Sequence, residues 1–125
     1  MYEKTLLKER LEQIMEAVIR IERRFAGIET PPDFMSTDAN HDKLDAIAML
    51  LIAIGESFKK IDKETKGKFL KKYPDIDWKG VIGVRNVLAH DYFDIDVEQI
   101  HKICHRDIPQ LKKTLEHMLE EVEQS

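Results

Sequence analysis

The chain contains one cysteine, Cys104, and only nine glycines and prolines among its 125 residues. A single cysteine excludes an intrachain disulfide framework and is typical of a reducing compartment. So few turn-forming residues argue against an all-β sandwich with its many hairpins. The longest apolar run, residues 46–55, is about half the ~20 residues that a membrane span needs. Charged residues near the start interrupt any secretory signal. We therefore expect a cytoplasmic protein without a membrane segment.

What the chain does contain indicates one helical domain over residues 1–125. Apolar residues make up 42% of the sequence and charged residues 35%, a balance that suits amphipathic helices. The first predicted helix covers residues 4–27, with an apolar stripe at Leu7, Leu11, Ile14, Val18, Ile21 and Phe25.

Three further helices are predicted, and together they indicate an all-α up-and-down bundle of four principal helices. The second is capped by Thr37 or Asp38 and continues to Ile61. A short basic helix or turn follows at residues 64–72. Asp77 caps the third helix, Asp96 caps the fourth, and Pro109 should kink or restart that last helix near Asp107.

The second helix is apolar all round between Ala46 and Gly55. Such a segment must be covered on several sides, either by its own fold or by a partner chain. Gly55 costs up to about 1 kcal/mol of helix propensity relative to alanine, which is tolerable if another backbone packs closely there. The run therefore predicts a central helix or a dimer interface.

Basic charge is concentrated between Lys59 and Arg85. Nine cations and four anions give this segment a charge of +5, although the chain as a whole carries −4. Clustered lysines are typical of binding to a phosphate backbone, and a solvated lysine-rich surface explains them equally well. The candidate RNA-binding residues are Lys68, Lys71, Lys72 and Lys79.

The residues at 85–92 combine an arginine, a histidine and a tyrosine in the pattern R-x4-H-x-Y. His90 has a side-chain type that takes and gives protons near neutral pH, and Arg85 offers a planar fork that matches phosphate oxygens. Five residues of helix rotate by about 140°, so Arg85 reaches a phosphate beside His90 only through its long side chain or if the helix ends earlier. Asn86 and His90, four residues apart, share a face.

One histidine per chain is a difficulty for RNA cleavage by the 2′-hydroxyl, which needs both a base and an acid. A twofold dimer that brings two motifs together would supply two histidines and two arginines in one cleft. A structural alternative remains, in which His90 is a helix-terminal residue and Arg85 is the salt-bridge partner of Glu56 or Asp91. In either case we expect Glu56, a carboxylate at the end of an apolar run, to pair with a cation.

A metal site is a weaker candidate. His101, Cys104 and His105 lie on or near one helical face, but the sequence supplies no second cluster of ligands, and Cys104 is better explained as a small buried residue. His41 and His117 are expected at the surface. No metal or cofactor is predicted.

Several segments together resemble the HepT-like proteins of the HEPN superfamily. The resemblance covers most of the chain, and its motifs occur in the family's order. They are Ala53-Ile54-Gly55-Glu56, Tyr73-Pro74-Asp75-Ile76-Asp77-Trp78, the run from Gly83 to Phe93, Asp96, and Asp107-Ile108-Pro109-Gln110-Leu111.

The resemblance implies a HEPN bundle that forms a homodimer with a shared cleft, and a metal-independent endoribonuclease that is the toxin of a type II toxin-antitoxin pair. In that family pattern, Arg85 stabilises the phosphate in the transition state and His90 is the acid-base residue. Asn86 is a lesser candidate that would orient His90 or a phosphate. Tyr92 would receive AMP from a minimal nucleotidyltransferase antitoxin, which blocks the cleft. The alternative is a catalytically inactive helical adaptor, or a nucleotide-binding partner of a nucleotidyltransferase.

Overall fold

The computed structural model describes residues 4–90 and 92–124, except for the side chains at positions 87, 89, 90 and 92. Every regular element in these residues is helical. The α-helices are α1 (Lys4–Phe25), α2 (Asp38–Glu64), α3 (Trp78–His90), α4 (Val97–Lys102) and α5 (Ile108–Gln124). Because a π-helical segment at Ile103–Asp107 joins α4 to α5, the two form the fourth principal helix of the predicted bundle.

Helix α1 presents one apolar stripe to the core. Five of its six predicted residues are buried, and Phe25 at the end is half-buried. The helix ends at Phe25, two residues before Gly27, whose φ of +88° lies in the region that favours glycine. A short 3-10 helix at Pro31–Met35 then places Phe34 in the core.

Helix α2 is the central helix that the sequence predicts. The Thr37 hydroxyl accepts a hydrogen bond from the Asn40 N–H at 3.0 Å and caps its start. Its core stripe is buried, and α1 and α3 both pack against it. The cover is incomplete, because the Met49 side chain is 66% exposed and Ala53 is also exposed.

At Gly55 the backbones of α2 and α3 come close together. A Cβ atom at this position would lie 2.7 Å from the Val81 carbonyl oxygen. This confirms that another backbone packs closely against the glycine. The absence of a side chain lets α3 lie directly on the central helix.

The segment after α2 contains less helix than predicted. Residues 65–69 form a turn in which Lys66 and Gly67 both have positive φ. Only Leu70–Lys72 is helical, as a single 3-10 turn. Left-handed backbone at two successive residues ends the α-helical hydrogen-bond ladder, so the basic segment becomes a turn and not a helix.

The predicted break near Pro109 is confirmed. The Asp96 carboxylate accepts hydrogen bonds from the Glu98 and Gln99 N–H groups and caps α4. The backbone hydrogen bond then spans one residue more than in an α-helix, as the Ile108 N–H donates to the Ile103 carbonyl five residues earlier. Since Pro109 has no N–H to donate, this π-helical segment allows α5 to restart in a new register.

The packing leaves α3 at the side of the bundle. α1 packs on α2 and α5, whereas α3 rests chiefly on α2. A cleft of about 680 Å³ lies beside α3 and is bordered by α2, the π-helical segment and α5 as well. None of the helices in the described ranges is long and apolar enough to cross a membrane.

Candidate active site

The N-terminus of α3 is fixed by side chains from the preceding loop. The Asp77 carboxylate accepts a hydrogen bond from the Gly80 N–H at 3.1 Å, which confirms Asp77 as the cap. The Trp78 indole N–H donates to the Tyr73 carbonyl at 2.9 Å, and its ring packs on Phe58 with centroids 4.8 Å apart. The start of the helix that carries the motif is therefore tied to the loop and to α2.

Further along α3, Leu88 anchors the helix in the core, with 4% of its surface exposed. The neighbouring Arg85 and Asn86 are exposed. An apolar anchor within one turn of these polar side chains gives them a rigid base. This is the arrangement that a binding site on a helix requires.

Arg85 pairs with Glu56, as the sequence predicts for that carboxylate. The guanidinium Nη1 donates to Glu56 Oε1 at 3.0 Å. The two side chains are 57% and 35% exposed, so water screens the pair and its contribution to stability is small. Its main structural effect is to hold the Arg85 fork on the α2 side of α3.

The backbone excludes one of the two ways in which Arg85 could reach a phosphate beside His90, namely an end of the helix between the two residues. Helix α3 continues through His90, so it does not end between the two residues. Their positions are therefore about 140° apart around one helix axis. The side chains of His90 and Tyr92 lie outside the described residues, and their predicted roles remain predictions.

A groove of about 430 Å³ runs along the junction of α2 and α3 and brings four of the predicted site residues together. These residues are Glu56, Lys79, Arg85 and Asn86. Lys59, Asp62 and Trp78 also border the groove, and the sequence prediction missed them. Helical spacing offered a signal for the first two, since positions 56, 59 and 62 follow one another at intervals of three.

The other predicted RNA-binding lysines lie outside this groove. Lys68 is in the turn after α2, and Lys71 and Lys72 are in the following 3-10 turn. Lys72 Nζ lies 3.0 Å from Glu121 Oε2, so this lysine already neutralises a carboxylate on α5. Exposure leaves Lys68 and Lys71 accessible to a polyanion, but at a different part of the surface.

The histidine and cysteine residues of α4 and the π-helical segment have structural partners. His101 Nε2 lies 2.9 Å from the Glu29 carbonyl oxygen, and the imidazole packs edge-on against Phe25. Cys104 is buried, which raises the pKa of its thiol to about 12. No group of three potential metal ligands occurs among the residues that the structure describes.

Residues 14–118 match a family model described as ribonuclease HepT-like, and this span includes every predicted site residue. The chain belongs to the HepT-like ribonuclease family. The match confirms the resemblance identified in the sequence, and the helical bundle is the HEPN fold that this family membership implies.

The relatives of the chain carry ribonuclease names. "Probable ribonuclease HepT" of Thermococcus cleftensis is 33% identical over 113 residues, which cover 89% of this chain and 94% of that protein. "Putative RNase MJ1380" of Methanocaldococcus jannaschii is 38% identical over 71 residues, 57% of this chain and 62% of that protein. The matched segment spans 61% to 65% of the length of three such relatives from M. jannaschii. No solved structure matches the chain.

Proposed function

We propose that the chain is a metal-independent endoribonuclease that acts as a homodimer in the cytoplasm, as the toxin of a type II toxin-antitoxin pair. The observation that carries this proposal is the position of Arg85. Its guanidinium is held by Glu56 at the edge of an open groove, on the same helix as His90. Membership of the HepT-like ribonuclease family supports the same conclusion.

The proposed reaction is attack by the RNA's own 2′-hydroxyl on the adjacent phosphorus. A base removes the hydroxyl proton, the new P–O bond forms, and the bond to the 5′-oxygen breaks as an acid protonates that oxygen. The products are a 2′,3′-cyclic phosphate and a 5′-hydroxyl. His90 transfers the protons, and Arg85 stabilises the charge that develops on the phosphoryl oxygens.

A single chain supplies half of this machinery. Residues 85 and 90 are about 140° apart on an uninterrupted helix, and there is one motif histidine per chain. A twofold dimer would place the motifs of two protomers in one cleft. The exposed Ala53 and Met49 lie one and two helical turns, respectively, before Glu56 on the same face of α2. An apolar patch beside Arg85 is therefore available for the interface.

The remaining predicted site residues have supporting roles in this proposal. Asn86 shares a helical face with His90 and borders the groove, so it can orient the imidazole or a phosphate. Lys79 contributes positive charge inside the groove. Lys68, Lys71 and Lys72 would contact a longer RNA at the turn after α2, where Lys72 must first exchange its contact with Glu121.

Regulation is proposed to act through Tyr92. Its hydroxyl oxygen attacks the α-phosphorus of ATP bound to a minimal nucleotidyltransferase antitoxin, pyrophosphate leaves, and AMP remains on the tyrosine. Tyr92 follows His90 by two residues, so the added anion would occupy the same cleft as the RNA phosphate. Incubation with the partner and ATP should add AMP to the wild type and not to Tyr92→Phe, as measured by mass spectrometry.

The central experiment measures cleavage of a single-stranded RNA by the purified chain in the presence of a metal chelator. Wild type should cleave, whereas His90→Ala and Arg85→Ala should lose activity while circular dichroism and sedimentation show an unchanged fold and dimer. His117→Ala, which removes an exposed histidine of α5, is the matched control and should remain active. Equal cleavage by wild type and His90→Ala would contradict the catalytic assignment.

A further inference from the structure

The groove at the junction of α2 and α3 extends well beyond Arg85. Trp78 and Arg85, both on its border, are seven residues apart on α3, which corresponds to roughly 10 Å along the helix axis. That length exceeds what a single phosphate on Arg85 occupies. The far end of the groove is therefore available to another part of the same ligand.

Trp78 offers that ligand an aromatic surface and little else. Its indole N–H already donates to the Tyr73 carbonyl, and its ring packs on Phe58, which is fully buried. What remains half-exposed along the groove is π-surface without a free polar group. Aromatic surface beside positive charge is the combination on which single-stranded nucleic acids stack their bases.

Two lysines stand on opposite walls of the groove, Lys59 on α2 and Lys79 on α3. Neither forms an ion pair within the described part of the chain, whereas Lys8, Lys72 and Lys112 each pair with a glutamate. The positive charge of the groove lysines is thus available for a phosphate. They flank the groove where a backbone leading away from Arg85 would pass.

The groove also contains two carboxylates, which limit where a phosphate can lie. Glu56 is neutralised by Arg85 at 3.0 Å. Asp62 borders the same end of the groove as Trp78 and would repel a phosphate. A base edge with its N–H donors suits that position better, and this agrees with a base on the Trp78 surface.

We propose that this groove binds the nucleotide next to the scissile phosphate of a single-stranded RNA, with its base on Trp78 and its backbone between Lys59 and Lys79. The inference rests on the proposed ribonuclease function. It adds a binding subsite that none of the catalytic residues provides. It also predicts that each protomer binds the RNA on one side of the cleavage point.

Trp78 is the only tryptophan of the chain, so its fluorescence reports on this groove alone. The experiment uses His90→Ala protein, which does not consume the RNA, and titrates a single-stranded oligoribonucleotide. Fluorescence anisotropy of the labelled RNA measures total binding, and tryptophan emission measures occupancy of the groove. The two curves should give the same Kd, with the emission quenched by the stacked base.

Variants of the two lysines test the backbone contacts. Lys59→Ala combined with Lys79→Ala should weaken binding severalfold, reduce the quench, and lower the slope of log K against log salt by about 1.4, since each phosphate contact to a single strand contributes about 0.7. Lys60→Ala is the matched control, because this exposed lysine is adjacent to Lys59 but does not border the groove. It should retain the affinity, the quench and the slope.

The outcomes separate this inference from the proposed function. One outcome is that the RNA binds and is cleaved, but the Trp78 emission does not change and the double variant has the same affinity as Lys60→Ala. This result overturns the subsite and leaves the ribonuclease proposal intact. RNA that neither binds nor is cleaved overturns both. Binding with quenched emission but no cleavage by wild type supports the groove as an RNA site and removes the catalytic role.

Discussion

The Arg85 guanidinium donates a hydrogen bond to the Glu56 carboxylate across 3.0 Å, which connects the helix of the motif to the central helix of the bundle. The pair sits beside an open groove, with both side chains partly in solvent. A phosphate that approaches Arg85 must share its fork with Glu56. Because a guanidinium has five N–H donors, it can bind both groups at once.

Replacing Glu56 tests whether this pair orients Arg85. In Glu56→Gln the charge is lost, and the free energy of unfolding should fall by less than about 1 kcal/mol because the pair is exposed. The kcat for RNA cleavage should fall on the order of tenfold, since a misplacement of about 1 Å can cost up to ~100-fold. The KM should not rise, because the groove loses a negative charge.

Glu64→Gln is the matched control for this variant. Glu64 also lies on α2 and also pairs with an arginine, Arg10, at 3.1 Å, but away from the groove. Its kcat and KM should equal those of wild type. An unchanged kcat in Glu56→Gln would show that the carboxylate has a structural role alone.

Replacing Gly55 and Gly83 by alanine should change the free energy of unfolding in opposite directions. Gly55→Ala places a Cβ 2.7 Å from the Val81 carbonyl oxygen, so α3 must shift, at a cost of about 1–3 kcal/mol in the free energy of unfolding. Gly83→Ala meets nothing within 4 Å and should stabilise α3 by up to about 1 kcal/mol. Urea denaturation of both variants measures this difference, and equal effects would contradict the close α2–α3 contact.

The apolar stripes of α1 and α2 and the caps at Thr37, Asp77 and Asp96 could be predicted from the sequence, because they depend on residues three or four positions apart. The connector after α2 could be predicted only as a short basic helix or a turn, without a choice between the two. Its lysines have helical propensity, but positive φ at two successive residues ends the helix there. Only the packed fold shows such backbone geometry.

The composition of the groove also depends on tertiary contacts. The pairing of Glu56 with a cation could be predicted, because a carboxylate in an apolar run needs a partner. The meeting of Lys59 and Trp78 could not, since the two residues come from different helices and their approach depends on how Gly55 lets α3 pack. Sequence periodicity describes each helix and not the angle between two of them.

Tyr73 and Glu121 should make part of the stability dependent on pH. The Tyr73 hydroxyl donates to Glu121 Oε1 at 2.7 Å. Burial acts to raise the pKa of Glu121, but hydrogen bonds from Tyr73 and Lys72 outweigh it, and the pKa is lower than usual. A carboxyl group with a depressed pKa stabilises the fold above its unfolded pKa, and this stability is lost as the pH falls through the folded value.

Tyr73→Phe removes one of the groups that hold this pKa down. The free energy of unfolding near neutral pH should fall by about 1 kcal/mol, the net value of one hydrogen bond. The difference from wild type should shrink below the usual pKa of a glutamate, about 4.3, because protonation of Glu121 weakens the contact in wild type as well. Urea denaturation at several pH values measures the difference in unfolding free energy between Tyr73→Phe and wild type. A difference that is constant with pH would exclude a coupling between this hydrogen bond and the protonation of Glu121.

Met49 should be required for the dimer and not for the fold. Its side chain is 66% exposed, so Met49→Glu should change the stability of the protomer by less than about 0.5 kcal/mol. If the α2 face forms the interface, the charge should prevent association and abolish cleavage. Met35→Glu, at a side chain that is 55% exposed in another part of the surface, is the control and should remain dimeric in sedimentation experiments.

A mixture of two inactive variants gives the strictest test of an active site that is shared between two protomers. Arg85→Ala and His90→Ala homodimers should each be inactive, since one lacks both arginines and the other both histidines. After unfolding and refolding together, the heterodimer contains one Arg85 and one His90 on different protomers. These residues meet in one cleft only if the site is shared, so part of the cleavage should reappear in the mixture, with the one remaining His90 acting first as base and then as acid. If each chain used its own Arg85 with its own His90, no protomer would be complete and the mixture would stay inactive. Adding Met49→Glu to both chains should prevent the recovery, which would assign it to association through the α2 face.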